Sequence, residues 1–177
     1  GNVYWRLGLL DRAIETHNSA LAIKREILSP GDPEIAITLS NLANLLVITR
    51  DSIRAEFYYG EALRIYDGAE SNPLFLAKTK DNYGELLMSS GRVDEAAPQL
   101  TAANATFKRL LPAGHGSIGV SEVHMGRLEL LQGDAGGLDR LQKGTEIMVE
   151  AGRPDAAYEV GSFAESLFAQ GLSERGI

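Results

Sequence analysis

Apolar residues recur at helical spacing along most of the chain. Between residues 35 and 46 they fall at Ile35, Leu39, Leu42, Leu45 and Leu46. Steps of three and four put one face of an α-helix against a core. No segment alternates apolar and polar residues in a way that demands a strand, so the pattern predicts an all-α chain. Start signals place the first helix of each pair. Asp32-Pro33-Glu34 supplies an N-cap, a proline at the first helical position and an acidic first turn. Asn72-Pro73 repeats the device, Ser117 is the expected cap of the third such helix with Glu122 in its early turns, and Pro154 opens the fourth. Turns near residues 50, 91, 133 and 171 end these helices. The second helices are expected over 10–28, 52–68, 93–111 and 135–151.

The pattern also repeats itself, which decides the architecture. Asn41-Leu42-Ala43-Asn44-Leu45-Leu46 matches Asn82-Tyr83-Gly84-Glu85-Leu86-Leu87 at a shift of 41, and His124-Met125-Gly126-Arg127-Leu128 follows at a shift of 42. Phe163-Ala164 continues the series. Gly8, Arg50, Gly91, Gly133 and Gly171 mark one turn position, and small residues recur at Ala13, Ala55 and Ala96. A further set, Ala20, Ala62, Ala103 and Thr145, lies seven residues later, with Leu138 and Thr145 standing where alanines are expected in the last unit. Small residues are needed where two antiparallel helices cross. Large ones beside them (Leu42, Tyr83, Met125, Phe163) fill the space between pairs. One pair cannot bury its apolar face alone, so the units are expected to stack.

These residues resemble the tetratricopeptide repeat, in which a large residue and Gly/Ala in the first helix precede a turn and two small residues seven apart. The spacing of 41 to 42 exceeds the family's usual repeat of about 34 and is similar to the long-helix variety found in kinesin light chain. The tract Ala20–Leu28, then Gly31-Asp32-Pro33 and Thr38–Ala43, is especially close to that variety. The resemblance implies a right-handed α-α superhelix of about four helix-turn-helix repeats in one array over 1–177. Its parts would be a partial repeat 1–31, repeats 32–71, 72–115 and 116–152, and a partial repeat 153–177. Gly1–Leu7 would be the end of a first helix, and Ser173–Ile177 stops where a second helix should begin, so a fragment or processed product is expected.

The family's first helices line a concave face that binds an extended peptide or a helix. Carried over by phase, this implies a ladder at Asn41, Asn82, His124 and Ser162. Beside it would lie Ser40, Asn44 and Ile48, then Lys78, Asp81, Glu85 and Ser89, then Val120, Val123 and Arg127, and finally Tyr158 and Glu165. Asparagine carries both donor and acceptor and can hold a peptide backbone whatever the ligand sequence. The plainer alternative is that these polar residues solvate an exposed helix face or link adjacent repeats. Some family members clamp a terminal carboxylate with a Lys, Asn and Arg set. Ser40, Val120 and His124 replace three of those positions, so a ligand with mixed polar and apolar anchors is expected instead.

Composition narrows the remaining chemistry. The chain has 177 residues, a formal net charge of −7 and no cysteine. It therefore has no disulfide, no thiol nucleophile and no thiolate metal site. An acidic chain of pI ≈ 5.0 lacks the footprint of a nucleic-acid binder, and no apolar run is long enough to span a membrane. Gly114–Gly119 fits GxGxxG as a string, but a helix rather than a strand precedes it and no βαβ unit follows. The three histidines, His17, His115 and His124, fall in different repeats without HxxxH spacing. Ser117, Glu122 and His124 lie near one another in sequence, yet read as a cap and a surface histidine rather than a triad. Asn104-Ala105-Thr106 matches a glycosylation acceptor placed inside a helix. Phe57, Tyr58, Tyr59, Tyr66 and Phe107 are expected to pack the core, and Trp5 belongs to the incomplete first repeat.

The expected function is non-catalytic: a protein–protein interaction module that takes a peptide on its groove through Asn41, Asn44, Lys78, Asn82, Glu85, His124 and Arg127. No cofactor, metal, nucleic acid or membrane is expected, and the cytoplasm is the favoured setting. The alternatives are the regulatory part of a larger multidomain enzyme, or a scaffold that self-associates.

Overall fold

The computed structural model describes residues 1, 3–4, 7–68 and 72–153. Trp5 and the expected fourth first-helix, with Pro154, Tyr158, Ser162, Phe163, Ala164, Glu165 and the turn glycine Gly171, lie outside the described residues. The described secondary structure is helical throughout. Among the described residues, seven helices with both ends defined follow in order: α1 Leu10–Ile27, α2 Pro33–Ile48, α3 Ser52–Gly68, α4 Pro73–Ser89, α5 Val93–Leu110, α6 Gly116–Leu131 and α7 Gly137–Glu150. The chain divides into two compact units, Gly1–Leu86 and Leu87–Ile177, with the division inside α4.

The start signals work as their chemistry requires, with one exception. The Asp32 side chain accepts the Glu34 amide at 2.8 Å and Pro33 is the first residue of α2. Asn72 accepts the Leu74 amide at 2.9 Å ahead of Pro73. At α6 the cap is His115, whose Nδ1 accepts the Ser117 amide at 3.1 Å. Ser117 itself is already inside the helix, so the expectation of a serine cap is corrected by two residues.

The helix ends are equally uniform. After α2 the Arg50 amide donates to Val47 and the Asp51 amide to Leu46. The same two bonds recur at Gly91 and Arg92, and again at Gly133 and Asp134. This closure needs one residue in the left-handed region, which glycine adopts without steric cost. Gly91 and Gly133 have φ of 77° and 87°, and Arg50 is forced to 61° in the same place.

In the first unit α1, α2 and α3 enclose a core of Leu21, Ile35, Leu39, Leu42, Leu46, Tyr59 and Tyr66 around Ala43, Ala55 and Ala62. Ala13, Ala43, Ala55 and Ala62 are all fully buried, as their recurrence required. Tyr59, Tyr66 and Phe107 are buried as well. Phe57 is not: it is 61% exposed on α3 and meets the edge of the Tyr58 ring at 5.5 Å between centroids. The helical spacing put it on the apolar stripe, but two residues before the buried Tyr59 it falls on the opposite side of the helix.

In the second unit the crossing of α6 and α7 is built on glycine. A Cβ on Gly126 would stand 2.6 Å from the Gly137 carbonyl oxygen, and one on Gly119 would stand 2.7 Å from that of Gly144. Both Gly137 and Gly144 are buried, while Leu138 is exposed and Thr145 half-buried. The small pair of the last second-helix is therefore Gly137 and Gly144, one residue before the expected Leu138 and Thr145. The step from Ala96 and Ala103 is 41, not 42.

Stability should respond accordingly. Gly144→Leu should overpack the crossing and cost about 1–3 kcal/mol or more, while Thr145→Ala stays within about 0.5 kcal/mol; thermal melts by circular dichroism distinguish the two positions. Arg50→Gly should raise stability by about 0.5–1 kcal/mol by relieving the left-handed strain, net of glycine's extra unfolded-state entropy. A lowered melting temperature would show that Arg50 is held by something other than its turn.

Candidate functional site

In the first unit the repeat brings together the polar residues of successive first helices. Asn44 on α2 is the hub. Its Oδ1 accepts the Tyr59 hydroxyl at 2.5 Å and the Asn82 Nδ2 at 2.8 Å. Burial and then the nearby Asp81 charge push the Tyr59 pKa well above its ordinary value, so its proton stays in place as donor. One turn earlier the Ser40 and Thr79 hydroxyls share a hydrogen bond of 2.8 Å. The Tyr66 hydroxyl faces them. Burial raises its pKa, and the neighbouring Thr79 and Ser40 hydroxyls work in the other direction. A row of polar links thus joins α2 to α4 at intervals of about one turn, with the Tyr59 and Tyr83 rings 5.7 Å apart beside it.

The linking role anticipated as the plainer alternative is thus observed for Asn44 and Asn82. It does not exhaust either side chain. The two bonds use the acceptor of Asn44 and one donor of Asn82, leaving the Asn44 amide NH2 and the Asn82 carbonyl oxygen. Both residues are half-exposed, as are Asn41 and Glu85, and Lys78 is exposed. Ser40 and Asp81, expected beside the groove, are buried.

The predicted residues of the second unit are placed differently. His124 is 4% and Arg127 7% exposed, and Val123 is fully buried against Met148. His124 is accordingly not a surface histidine. It and Arg127 lie within the packed part of α6 rather than on an open face.

A buried charge cluster occupies this second unit, and no motif announced it. Glu122 on α6 is 3% exposed. Its Oε1 accepts Lys108 Nζ at 2.7 Å and Asn104 Nδ2 at 2.7 Å, both from α5, and its Oε2 accepts Arg140 Nε at 3.0 Å from α7. Arg140 also donates to the Asn104 Oδ1 at 3.1 Å and to Glu129. Burial alone would raise the Glu122 carboxyl. The hydrogen bonds from Lys108, Asn104 and Arg140 outweigh it, and the pKa lies below its ordinary value. Asn104, which matched a glycosylation acceptor in sequence, is buried in α5 as a partner of this cluster. Residues on three helices at separations of 18 and 36 leave no local pattern to read.

Gly116 and Gly119 of the glycine string lie inside α6. Among the described residues no cluster of three or more His, Asp or Glu could hold a metal ion. None of the described helices is long and apolar enough to cross a membrane.

Stacked helix pairs, left-handed turn closures and small residues at each crossing have a counterpart among known proteins. Residues 1–68 match the tetratricopeptide repeat family. The helical repeat fold is similar to that of solved tetratricopeptide-type structures. The crystal structure of BtubC (BKLC) from P. vanneervenii is similar at 28% identity and a TM-score of 0.65, covering 89% of this chain. The chain spans 61% of that protein's length. Two structures of nearly identical TPR-like repeats, from a Podosopora anserina protein named as a putative kinesin light chain, share the fold. A point variant of it has 18% identity and a TM-score of 0.71, covering 98% of this chain and 84% of its own. The other form has 19% identity and a TM-score of 0.59, covering 86% and 73%. No curated protein matches the sequence significantly.

The Glu122 cluster sets a pH dependence. A carboxyl whose folded pKa lies below its unfolded value stabilises the fold at pH above its ordinary value of 4.5, and loses that contribution as pH falls through the folded pKa. Glu122→Gln should cost about 1–3 kcal/mol at neutral pH, since it removes charge-assisted bonds from a buried site. The loss should shrink as pH falls below 4.5 and through the folded pKa, which urea titrations at several pH values would show; a penalty independent of pH would mean that shape rather than charge is what Glu122 supplies.

Proposed function

We propose that the face of α2 and α4 in the first unit binds an extended peptide segment of a partner protein. The observation that carries this reading is the pair of amides at Asn44 and Asn82. Each is fixed by internal hydrogen bonding and keeps one group of opposite polarity for a ligand. An extended chain presents N–H and C=O groups in alternation, and a fixed donor beside a fixed acceptor matches one peptide unit. Fixing the amides beforehand also lowers the ordering cost of binding. Asn41 extends the polar row along α2, while Lys78 and Glu85 supply one positive and one negative group for side-chain selection. The ligand would be held mainly through its backbone, with modest charge preference.

His124 and Arg127 take no part in this reading, because their burial leaves them unreachable in the described arrangement. The interaction is non-catalytic: it needs only a fixed surface and a matching segment.

A peptide selected from a random library against the wild-type chain provides the probe. In calorimetric titration, Asn41→Ala with Asn82→Ala should weaken its binding about tenfold, the loss of roughly two hydrogen bonds of about 0.5–1 kcal/mol each. The double variant should keep its helical circular dichroism and lose about 1 kcal/mol of stability, because the Asn82 bond to Asn44 is removed. An unchanged dissociation constant would place the peptide elsewhere.

A further inference from the structure

The second unit carries an open cavity that the peptide face does not involve. It has a volume of about 210 Å3 and lies where the C-terminal end of α5, the first turns of α6 and the later turns of α7 converge. Leu111, Ile118 and Ile147 give it apolar walls, and Lys108, Lys143 and Glu122 give it charge. Glu122 is already matched by Lys108 and Arg140. Lys143 makes no ion pair with any described residue, so the cavity holds a cation in excess within a chain of net charge −7. Lys108 spends one of its three donors on Glu122 and keeps two. Two ammonium groups on one rim repel each other, and an anion between them would relieve that repulsion.

We propose that this cavity is a binding site for a small aliphatic carboxylate. The volume sets the size. About 210 Å3 equals roughly seven water volumes at about 30 Å3 each, enough for a branched acid of about six carbons. It is below the range of about 300–1,000 Å3 in which drug-sized ligands and cofactors sit. The alkyl part would lie against Leu111, Ile118 and Ile147, and the carboxylate would bridge Lys108 and Lys143. A neutral molecule of the same shape would leave the cation excess unmatched, and a cationic one would add to it.

The probe is 4-methylpentanoate, titrated into 15N-labelled protein while the backbone amides of Leu111, Ile118, Lys143 and Ile147 are followed by NMR. Saturable shifts confined to these residues are expected, with 4-methylpentanamide binding at least about threefold to fivefold more weakly, the worth of one partly exposed charge pair. Lys143→Gln should weaken the acid by a similar factor and leave the amide unchanged, while Lys143→Arg retains the acid. Lys143 is exposed, so these variants will fold, and a melt confirms it. The Asn41/Asn82 double alanine variant should bind the acid as wild type does. Equal response to acid and amide, no saturation, or indifference to Lys143→Gln would each overturn the proposal.

Discussion

Two antiparallel helices bury a shared stripe only if their axes come close, and that approach is limited by the side chain at the crossing. In this chain the limit is met by residues with almost no side chain. Ala13, Ala55, Ala62, Ala96 and Ala103 are fully buried at the second-helix side, and glycine faces glycine where α6 meets α7. A longer side chain at that glycine crossing forces backbone apart, because the atom it would meet is a carbonyl oxygen or an amide nitrogen rather than a movable group. Every other feature depends on this spacing. The large residues reach their neighbours across it, and the polar links between α2 and α4 fit within hydrogen-bond distance because the helices are held at one separation.

The two units fix their packing with different polar devices. The first uses neutral groups: a hydroxyl pair at Ser40 and Thr79 and an amide pair at Asn44 and Asn82. Neutral groups lose little on partial burial, so this face can stay half-open. The second uses charge. Glu122 is buried with Lys108, Asn104 and Arg140 around it, and such a cluster tolerates the loss of any member poorly. One device leaves part of its hydrogen-bonding capacity unused, and the other consumes nearly all of its own. That difference is why the proposed peptide face belongs to the first unit and the pH dependence to the second.

Helix positions were legible because they follow from local chemistry. Asp32-Pro33 and Asn72-Pro73 announce helix starts, and Gly91 and Gly133 announce turns that only a left-handed residue can make. Arg50 was legible as a turn only through its phase with those glycines. The misplaced pair Leu138 and Thr145 shows the limit of phase. A change of one residue in repeat length moves every later position, and a glycine at the first position of a helix with a second in its interior looks like a break until a partner helix is known to pass them. The site was less legible than the fold. The proximity of Asn44 to Asn82 could be inferred from repetition, since equivalent faces of successive repeats stack. The burial of His124 and Arg127 could not, because the same register exposes a residue in one unit and covers it in another. The Glu122 cluster joins non-equivalent positions of α5, α6 and α7, where repetition is silent.

A repeat array displays the same backbone geometry again and again, so its capacity to recognise rests on what varies at equivalent positions. Along one register the residues are Asn41, Asn82 and His124. The first two carry half-buried amide side chains, and the third is covered. Neighbouring positions vary more: Lys78 is exposed and positive, Glu85 half-exposed and negative. Affinity that comes from the backbone amides is nearly independent of ligand sequence, whereas discrimination must come from the charges beside them. Exposed charges of this kind contribute on the order of 0.2–1 kcal/mol each, a factor of at most about five. A single face with two such charges therefore separates partners weakly. On the proposed reading, strong selectivity would require a ligand long enough to engage further repeats, each adding its own small preference to the grip on the ligand backbone.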